Sequence, residues 1–178
     1  KYKKNPISDA LARQAFALLG QNILTVCKDR GNLEARRNML VGAMLAGQAF
    51  ANAPVAAVHA LAYPLGGHFH VPHGLSNSLV LPYVMEFNME QAVDAYSELA
   101  SILGINAGQG KARAQGLIDW FKNIAVETGI ETRLRDVGVK ESDLDMLADD
   151  AMLQTRLLVN NPRDVGRSDA YAIYKAAF

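Results

Sequence analysis

The stretch His-Ala-Leu-Ala-Tyr-Pro-Leu-Gly-Gly-His-Phe-His-Val-Pro-His-Gly, residues 59–74, holds every histidine of this 178-residue chain: His59, His68, His70 and His73. Histidine is the commonest metal ligand and the side chain that titrates nearest neutral pH. Residues 53–65, which lead into this stretch and form its first part, include no Asp, Glu, Lys or Arg. Imidazoles in a dry setting shaped by glycine and proline predict a buried metal or proton-transfer site. The alternative is that the four histidines are separate core or surface residues.

The histidines alone do not complete a catalytic metal site. His59 within one helix and His73 at the start of the next could reach one ion across the Gly-Gly turn between them. His68 and His70 are expected to alternate on a short extended segment, so at most one of them joins the pair. Catalytic sites take about three or four protein ligands, and no acidic residue lies between Glu34 and Glu86. Either a distant acid or another part of the protein must therefore complete the site.

Composition indicates one soluble domain without a nucleic-acid or membrane partner. Half of the residues are hydrophobic, and 18 basic residues balance 18 acidic ones, so no basic field favours nucleic acid. The basic patch of residues 1–4 is interpreted as a solvated chain end. A single cysteine, Cys27, fits a reducing compartment and is predicted to be a buried thiol. We find no signal peptide and no apolar run long enough to span a bilayer, which predicts a cytoplasmic protein.

The spacing of apolar residues predicts helices throughout, and hence an all-α fold. The first helix is expected to start near Ser8 as its N-cap and to end at Gly31, where Asn32 caps the second. A third helix is predicted from residues 52–54 to Pro64 and the Gly-Gly pair, and a fourth from 72–73 to Pro82, which is expected to bend or stop it. Further helices are predicted at residues 90–103, 111–128, 142–153 and 168–177. No heptad register persists, so the prediction is an orthogonal multi-helix array forming one domain, 1–178.

The sequence of the histidine stretch resembles that of the iron-containing (group III) alcohol dehydrogenase family. The matching residues are 59–66 and 72–77, with further similarity at 5–12 and at 161–163, so the resemblance extends over essentially the whole chain.

The resemblance implies a protein of two domains. One is an α/β domain that binds NAD or NADP; the other is a helical metal-binding and substrate domain, to which residues 1–178 correspond. The family binds Fe²⁺, Zn²⁺ or another divalent metal through an aspartate, a histidine four residues later and two further histidines, and His59 and His73 match that last pair. The first two ligands and the nucleotide-binding domain would precede Lys1. The full-length protein is expected to be a homo-oligomer, in the simplest case a dimer.

The implied reaction is hydride transfer between a small alcohol or aldehyde and NAD(P), with the metal as Lewis acid. Many family members carry a histidine near the nicotinamide where this chain has Tyr63, so Tyr63 is a candidate for cofactor contact and proton relay, with His70 as a possible replacement. Phe50 and Leu157 are candidates for an apolar substrate pocket. Arg163 is predicted to clamp a turn through backbone carbonyls or a carboxylate.

Two other classes of function remain open from the sequence. One is a different metal-dependent enzyme, a polyol dehydrogenase or a dehydroquinate-synthase-like lyase. The other is a non-catalytic helical module that uses the histidines to store metal or sense pH.

Overall fold

The computed structural model describes residues 5–178, and the basic patch of residues 1–4 lies outside them. The all-α prediction is confirmed, because the described residues form helices, turns and loops without a strand. In chain order the helices are α1 (Pro6–Lys28), α2 (Leu33–Asn52), α3 (Ala57–Phe69), α4 (His73–Ile102), α5 (Lys111–Thr128), α6 (Leu144–Met152), α7 (Thr155–Leu158) and α8 (Arg167–Ala177). Two short 3₁₀ turns, Leu134–Val137 and Glu141–Asp143, precede α6.

The first helix is capped by Asn5, and the prediction of Ser8 as the cap was wrong. The Asn5 side chain accepts hydrogen bonds from the backbone N–H groups of Ile7 and Ser8, at 3.0 and 2.9 Å. Ser8 lies one turn inside and returns a bond, since its hydroxyl accepts from the Asn5 N–H at 3.1 Å. Pro6 explains the shift, because proline suits the first helical position and so places the cap one residue before it. The prediction of Asn32 as the cap of α2 is confirmed, with its side chain accepting from Ala35 N–H at 3.0 Å.

The predicted boundaries of α3 were wrong at both ends. α2 continues to Asn52, Pro54 falls in the connection, and α3 begins at Ala57 after a residue with no side-chain cap. At the other end α3 passes through Pro64 to Phe69, and α4 likewise continues through Pro82 for 30 residues. A proline inside a helix removes one hydrogen bond and costs about 3 kcal/mol. Both prolines are buried, so packing around them outweighs that cost.

The chain divides into two compact units, each described by itself. One unit contains the chain up to Pro54 together with Val93–Leu117; the other contains Val55–Ala92 and Ile118–Phe178. No single described helix is both long and apolar enough to cross a bilayer; Leu33–Asn52 and Ala57–Phe69 reach that length and composition only as a pair. The prediction of a single domain over 1–178 stays a prediction.

In the first unit, α1 and α2 form an antiparallel hairpin. The Asn38 side chain donates to that of Asn22 at 3.3 Å, and Gly42 faces Leu19 so closely that an added Cβ would lie 2.9 Å from the leucine side chain. Glycine at position 42 thus allows the two helices to approach each other closely. Cys27, at the end of α1, is exposed, so the prediction of a buried thiol was wrong.

The second unit carries the main hydrophobic core, and Tyr174 on α8 is the largest side chain fully buried in it. Its hydroxyl donates to the carbonyl of Leu61 on α3 at 2.6 Å. Burial, and secondly the charge of Asp150, raise the pKa of Tyr174 well above its ordinary value, so the phenol stays neutral. α8 is thereby attached to the helix that carries His59 and Tyr63.

The predicted structural role of Arg163 is confirmed. Its guanidinium donates to the carbonyl of Phe87 at 3.0 Å and lies 3.9 Å from the centre of the Phe87 ring. Beneath it the side-chain amides of Asn88 and Asn161 exchange hydrogen bonds of 3.0 and 2.7 Å in a buried position. The amide of Asn161 and the guanidinium of Arg163 therefore both hold the turn at 161–163 against α4.

We expect Tyr174→Phe to lower the free energy of unfolding by about 1–2 kcal/mol, because it removes a buried hydrogen bond while keeping the ring. Tyr171→Phe, a partly buried tyrosine on the same helix, is the matched control and should change stability by less than about 0.5 kcal/mol. Urea unfolding followed by circular dichroism measures both. Equal losses in the two variants would contradict a special role for the bond to Leu61.

Candidate metal centre

The path of the chain between α3 and α4 places the two candidate metal ligands. His70 follows the last residue of α3 and adopts the left-handed conformation, with φ of 54°. Its backbone N–H and that of Val71 both reach the carbonyl of Leu65, and Val71 is buried. The hydroxyl of Ser76 donates to the Val71 carbonyl at 3.1 Å, which ties the first turn of α4 to the connection. Residues 70–72 thus fold back along α3 and start α4 beside it.

This reversal brings three rings together. The His59 and His73 ring centres lie 5.2 Å apart, with the ring planes tilted by 55°. The Tyr63 ring, one turn after His59, lies 6.4 Å from His59 and 6.2 Å from His73. The prediction that His59 and His73 lie close in space is therefore confirmed, although their role as metal ligands stays a prediction.

The surroundings of His59 favour its neutral form. Burial, and secondly the neighbouring His73 ring, lower the pKa of His59 below its ordinary value of 6.5. A neutral imidazole has the free lone pair that a metal ligand needs, whereas an imidazolium has none. The lowered pKa therefore suits His59 to a cation site at neutral pH.

His68 and His70 do not alternate on an extended segment, and that prediction was wrong. His68 belongs to the last turn of α3, where its ring is hydrogen-bonded to the carboxyl group of Asp150 of α6. His70 is exposed at the left-handed position and has no ring contact with His59, Tyr63 or His73 among the residues that the structure describes. His68 thus contacts α6. His70 affects the site through its backbone, which forms the turn between α3 and α4.

Sequence reasoning missed Asn77, which contacts His73 directly. Asn77 lies one turn after His73 on α4, and its amide nitrogen donates to the His73 carbonyl at 2.8 Å. The same nitrogen lies 3.2 Å from Nε2 of the His73 ring. The spacing of four residues on a helix was the available signal, because side chains four apart share a face.

Tyr63 also borders a small cleft of about 150 Å³ on the second unit. His68, Asp150 and Gln154 supply its polar lining. Tyr63 is 37% exposed, so its ring faces both the histidine pair and an open space.

The two candidate pocket residues have different surroundings. Phe50 is 55% exposed and lines a cleft of about 400 Å³ between α1 and α2 in the first unit. Leu157 is 7% exposed and belongs to the hydrophobic core of the second unit.

The donor atoms present fit part of a metal site. His59 and His73 supply two imidazoles on one side of a possible cation, and both are compatible with iron or zinc. Among residues 5–178, no group of three or more His, Cys, Asp or Glu side chains could hold a metal ion.

Comparison with known proteins finds a family match over the whole chain. Residues 1–178 match the family described as Fe-containing alcohol dehydrogenase family, C-terminal. Long-chain-alcohol dehydrogenase 1 of Geobacillus thermodenitrificans is 38% identical over 176 residues, which cover 98% of this chain and 45% of that protein. 1,3-Propanediol dehydrogenase of Klebsiella pneumoniae is 35% identical over the same shares of each chain.

Solved structures also match nearly the whole of this chain with less than half of their own. A 1,3-propanediol oxidoreductase superposes with a TM-score of 0.94 at 35% identity, over 99% of this chain and 47% of that one. A sulfoacetaldehyde reductase from Bifidobacterium kashiwanohense, in complex with NAD⁺, superposes with a TM-score of 0.84 at 25% identity, over 97% of this chain and 44% of that one.

The chain belongs to the iron-containing alcohol dehydrogenase family, in the region that the family description calls C-terminal. It spans about half the length of the curated relatives that it matches.

In the metal-free protein, we expect the His59 ring to titrate below pH 6.5. The unfolded chain takes up that proton near 6.5, so lowering the pH through this window should destabilise the fold. His73→Gln should move the His59 midpoint upward only part of the way, because burial is the larger cause. Nuclear magnetic resonance titration of the ring protons measures both, with His68→Gln as the control that leaves His59 unchanged. A midpoint above 6.5 would contradict the assigned environment.

Proposed function

We propose that this chain is the helical metal-binding part of an alcohol dehydrogenase, which transfers a hydride between a small alcohol or aldehyde and NAD(P). The observation that carries the proposal is the 5.2 Å separation of the His59 and His73 rings at the break between α3 and α4. The family in which the chain falls supports the reaction class.

In this proposal His59 and His73 hold a divalent cation, Fe²⁺ by analogy with the family's description and Zn²⁺ as the other candidate. When bound, the cation supplies Lewis-acid polarisation of the substrate oxygen. His59 contributes a nitrogen that stays unprotonated at neutral pH, because burial and its neighbour lower its pKa. The backbone reversal at His70 fixes the spacing of the two rings before any cation arrives. Cation binding therefore costs little free energy for ordering the two histidine side chains.

Tyr63 is the better candidate for contact with the cofactor and for the proton path. Its ring lies within 6.4 Å of both histidine rings and is partly exposed, whereas His70 contacts none of them in the described chain. The phenol hydroxyl can donate a hydrogen bond or pass a proton when a neighbouring group accepts it.

The remaining partners of the reaction are also proposals. A nucleotide-binding domain that holds NAD or NADP would complete the enzyme, and the protein would be cytoplasmic and assemble as a homo-oligomer, in the simplest case a dimer. The names of the relatives include long-chain alcohol, propanediol and sulfoacetaldehyde substrates, so they support an alcohol or aldehyde without selecting one. The exposed ring of Phe50 is the stronger pocket candidate, since Leu157 is committed to the core.

We expect His59→Ala and His73→Ala in the full-length protein to weaken Zn²⁺ or Fe²⁺ binding by more than about 100-fold. Loss of groups that merely support a ligand already costs about 10–100-fold, so loss of a ligand should cost more. His68→Ala is the matched control, because His68 pairs with Asp150 and should leave the affinity within about threefold. Calorimetric titration gives the affinities, and NAD(P)H formation from added alcohol gives the activity.

These measurements separate the proposal from its rivals. Metal binding without any alcohol-dependent NAD(P)H formation would favour a non-catalytic metal module. Unchanged affinity in both histidine variants would show that these residues are not ligands, and the site would have to be withdrawn.

Tyr63 and His70 can be told apart by one pair of substitutions. We expect Tyr63→Phe to lower turnover by about 10²-fold or more if the phenol carries the proton. His70→Gly should keep turnover and preserve the fold, because glycine adopts the left-handed conformation of position 70 without strain. Steady-state kinetics with a common alcohol measures both. A large loss in His70→Gly with normal turnover in Tyr63→Phe would reverse the assignment.

A further inference from the structure

The proposed reaction releases one proton that must leave the site in each turnover. The alcohol gives a hydride to NAD(P)⁺ and loses the proton of its hydroxyl, so the products are the carbonyl compound, NAD(P)H and one H⁺. A hydroxyl can accept one proton while it donates another, so Tyr63 can pass this proton on without becoming charged. Another group must then take the proton up and deliver it to solvent.

The cleft of about 150 Å³ beside Tyr63 offers a route for that proton. Tyr63 and His68 line the same cleft, and Gly67 lies at its edge between them. Gly67 carries no side chain, and an added Cβ there would meet nothing within 4 Å, so the space beside the two rings is open. One water molecule needs only about 10–15 Å³ of room for its centre. The cleft is therefore large enough for several waters within reach of both the phenol and the imidazole.

The hydrogen bond to Asp150 determines how His68 can receive a proton. Nε2 of His68 is bonded to a carboxylate oxygen of Asp150. An ionised carboxylate only accepts hydrogen bonds, so Nε2 carries the hydrogen and Nδ1 of the neutral ring is the nitrogen that can accept. When Nδ1 takes up a proton, the imidazolium lies beside the negative charge of Asp150, which stabilises it.

The surroundings of this pair leave it open to solvent. Asp149, the preceding residue of α6, is bonded to Nε of Arg167 at 2.6 Å, so Asp150 is the carboxylate of this pair of aspartates that is paired with His68. Tyr174 of α8 is close enough to feel the charge of Asp150, but it is buried and stays neutral. The side chains of His68 and Asp150 are both partly exposed, so a proton on His68 can pass to bulk water.

We propose that His68, oriented by Asp150, takes up the proton of the reaction from water in this cleft and passes it to solvent. The inference rests on the proposed function for the reaction and adds to it the outer end of the proton path. In alcohol oxidation the substrate hydroxyl gives its proton to the Tyr63 oxygen, and Tyr63 gives its own proton to a water in the cleft. That water gives a proton to Nδ1 of His68, which releases it to bulk water. Tyr63, the water and His68 thus end each turnover in their starting forms. In this path Asp150 is a positioning residue.

A simpler explanation is that the pair only joins α3 to α6, as an exposed surface contact of little consequence. The chain offers a matched control for that explanation. Lys122 of α5 and Glu86 of α4 also join two helices, and their side chains are 40% and 39% exposed, compared with 39% and 38% for His68 and Asp150. Breaking the pair of Lys122 and Glu86 loses a similar contact but removes no proton acceptor from the cleft.

The test measures oxidation of 1,3-propanediol and of a long-chain primary alcohol by the full-length protein, near neutral pH in a dilute, bulky buffer. His68→Gln keeps an amide donor for Asp150 but cannot take up a proton, and His68→Ala leaves space for an added base. Asp150→Asn removes the orienting carboxylate, and Glu86→Gln is the matched control. Turnover and KM are measured with and without imidazole at constant ionic strength, and circular dichroism checks that each variant is folded.

We expect turnover to fall by about 10-fold in both His68 variants, with KM nearly unchanged. The loss is smaller than the roughly 10²-fold contribution of a group that acts directly on the reacting oxygen, because solvent water partly replaces His68. Asp150→Asn should lose less, since the ring remains. Added imidazole should restore the turnover of His68→Ala toward that of the wild type and should leave the wild type and Glu86→Gln unchanged. A merely structural role of His68 predicts no such rescue.

Normal turnover in His68→Gln overturns the proposal, and so does a loss in His68→Ala that imidazole does not relieve. If His68→Ala does not fold, His68→Gln decides the question through the ratio of its turnover in H₂O and D₂O. That ratio should exceed the wild-type ratio, because proton transfer then limits the rate, and an unchanged ratio contradicts the proton path.

Failure of this inference can be told apart from failure of the proposed function. A wild-type protein that forms NAD(P)H from neither alcohol would contradict the proposed function itself. An active wild type whose turnover does not depend on His68 would overturn only the proton path through the cleft.

Discussion

The reversal of the chain at His70 is the constraint on which the histidine site depends. Only residues 70–72 separate α3 from α4, and within them the chain must turn back so that His73 lies beside His59. A residue other than glycine in the left-handed conformation costs about 1–2 kcal/mol. The buried side chain of Val71 and the bonds to the Leu65 and Val71 carbonyls offset this cost. The backbone therefore sets the spacing of the two rings.

Local signals in the sequence predicted helices better than they predicted where those helices end. Lys111–Thr128 was placed correctly, because Gly129 follows it with a positive φ of 73°, which glycine alone adopts without strain. Pro64 was misread as a helix end, and Pro82 was expected to bend or stop its helix, although the helix continues through it. The cost of a proline is local and visible in a sequence, whereas the packing that outweighs it comes from residues distant in the chain. Tyr174, for example, lies 113 positions from Leu61.

The same distinction applies to the site. The proximity of His59 and His73 was predicted from a turn at the Gly-Gly pair, and the structure confirmed the proximity. The turn itself was misplaced, because both glycines lie within α3 and the chain reverses at residues 70–72. The partner of His68 could not be predicted, because Asp150 lies 82 residues away and only the packing of α6 against α3 brings it near. Asn77 was within reach of sequence reasoning, being one helical turn from His73, but its contact with the ring depends on which way its amide faces. That orientation is decided by a backbone carbonyl, which a sequence does not display.

The buried phenol of Tyr174 gives the protein a spectroscopic marker of its own. A tyrosine in water ionises near pH 10, and its phenolate absorbs at longer wavelength than the phenol. Inside the fold Tyr174 keeps its proton beyond that pH, whereas the unfolded chain releases it, so stability must decline as the pH rises above about 10. Of the six tyrosines in the chain, Tyr174 will therefore change its absorbance only when α8 separates from α3. An alkaline absorbance titration thus reports the pH at which α8 separates from α3, the helix that carries His59.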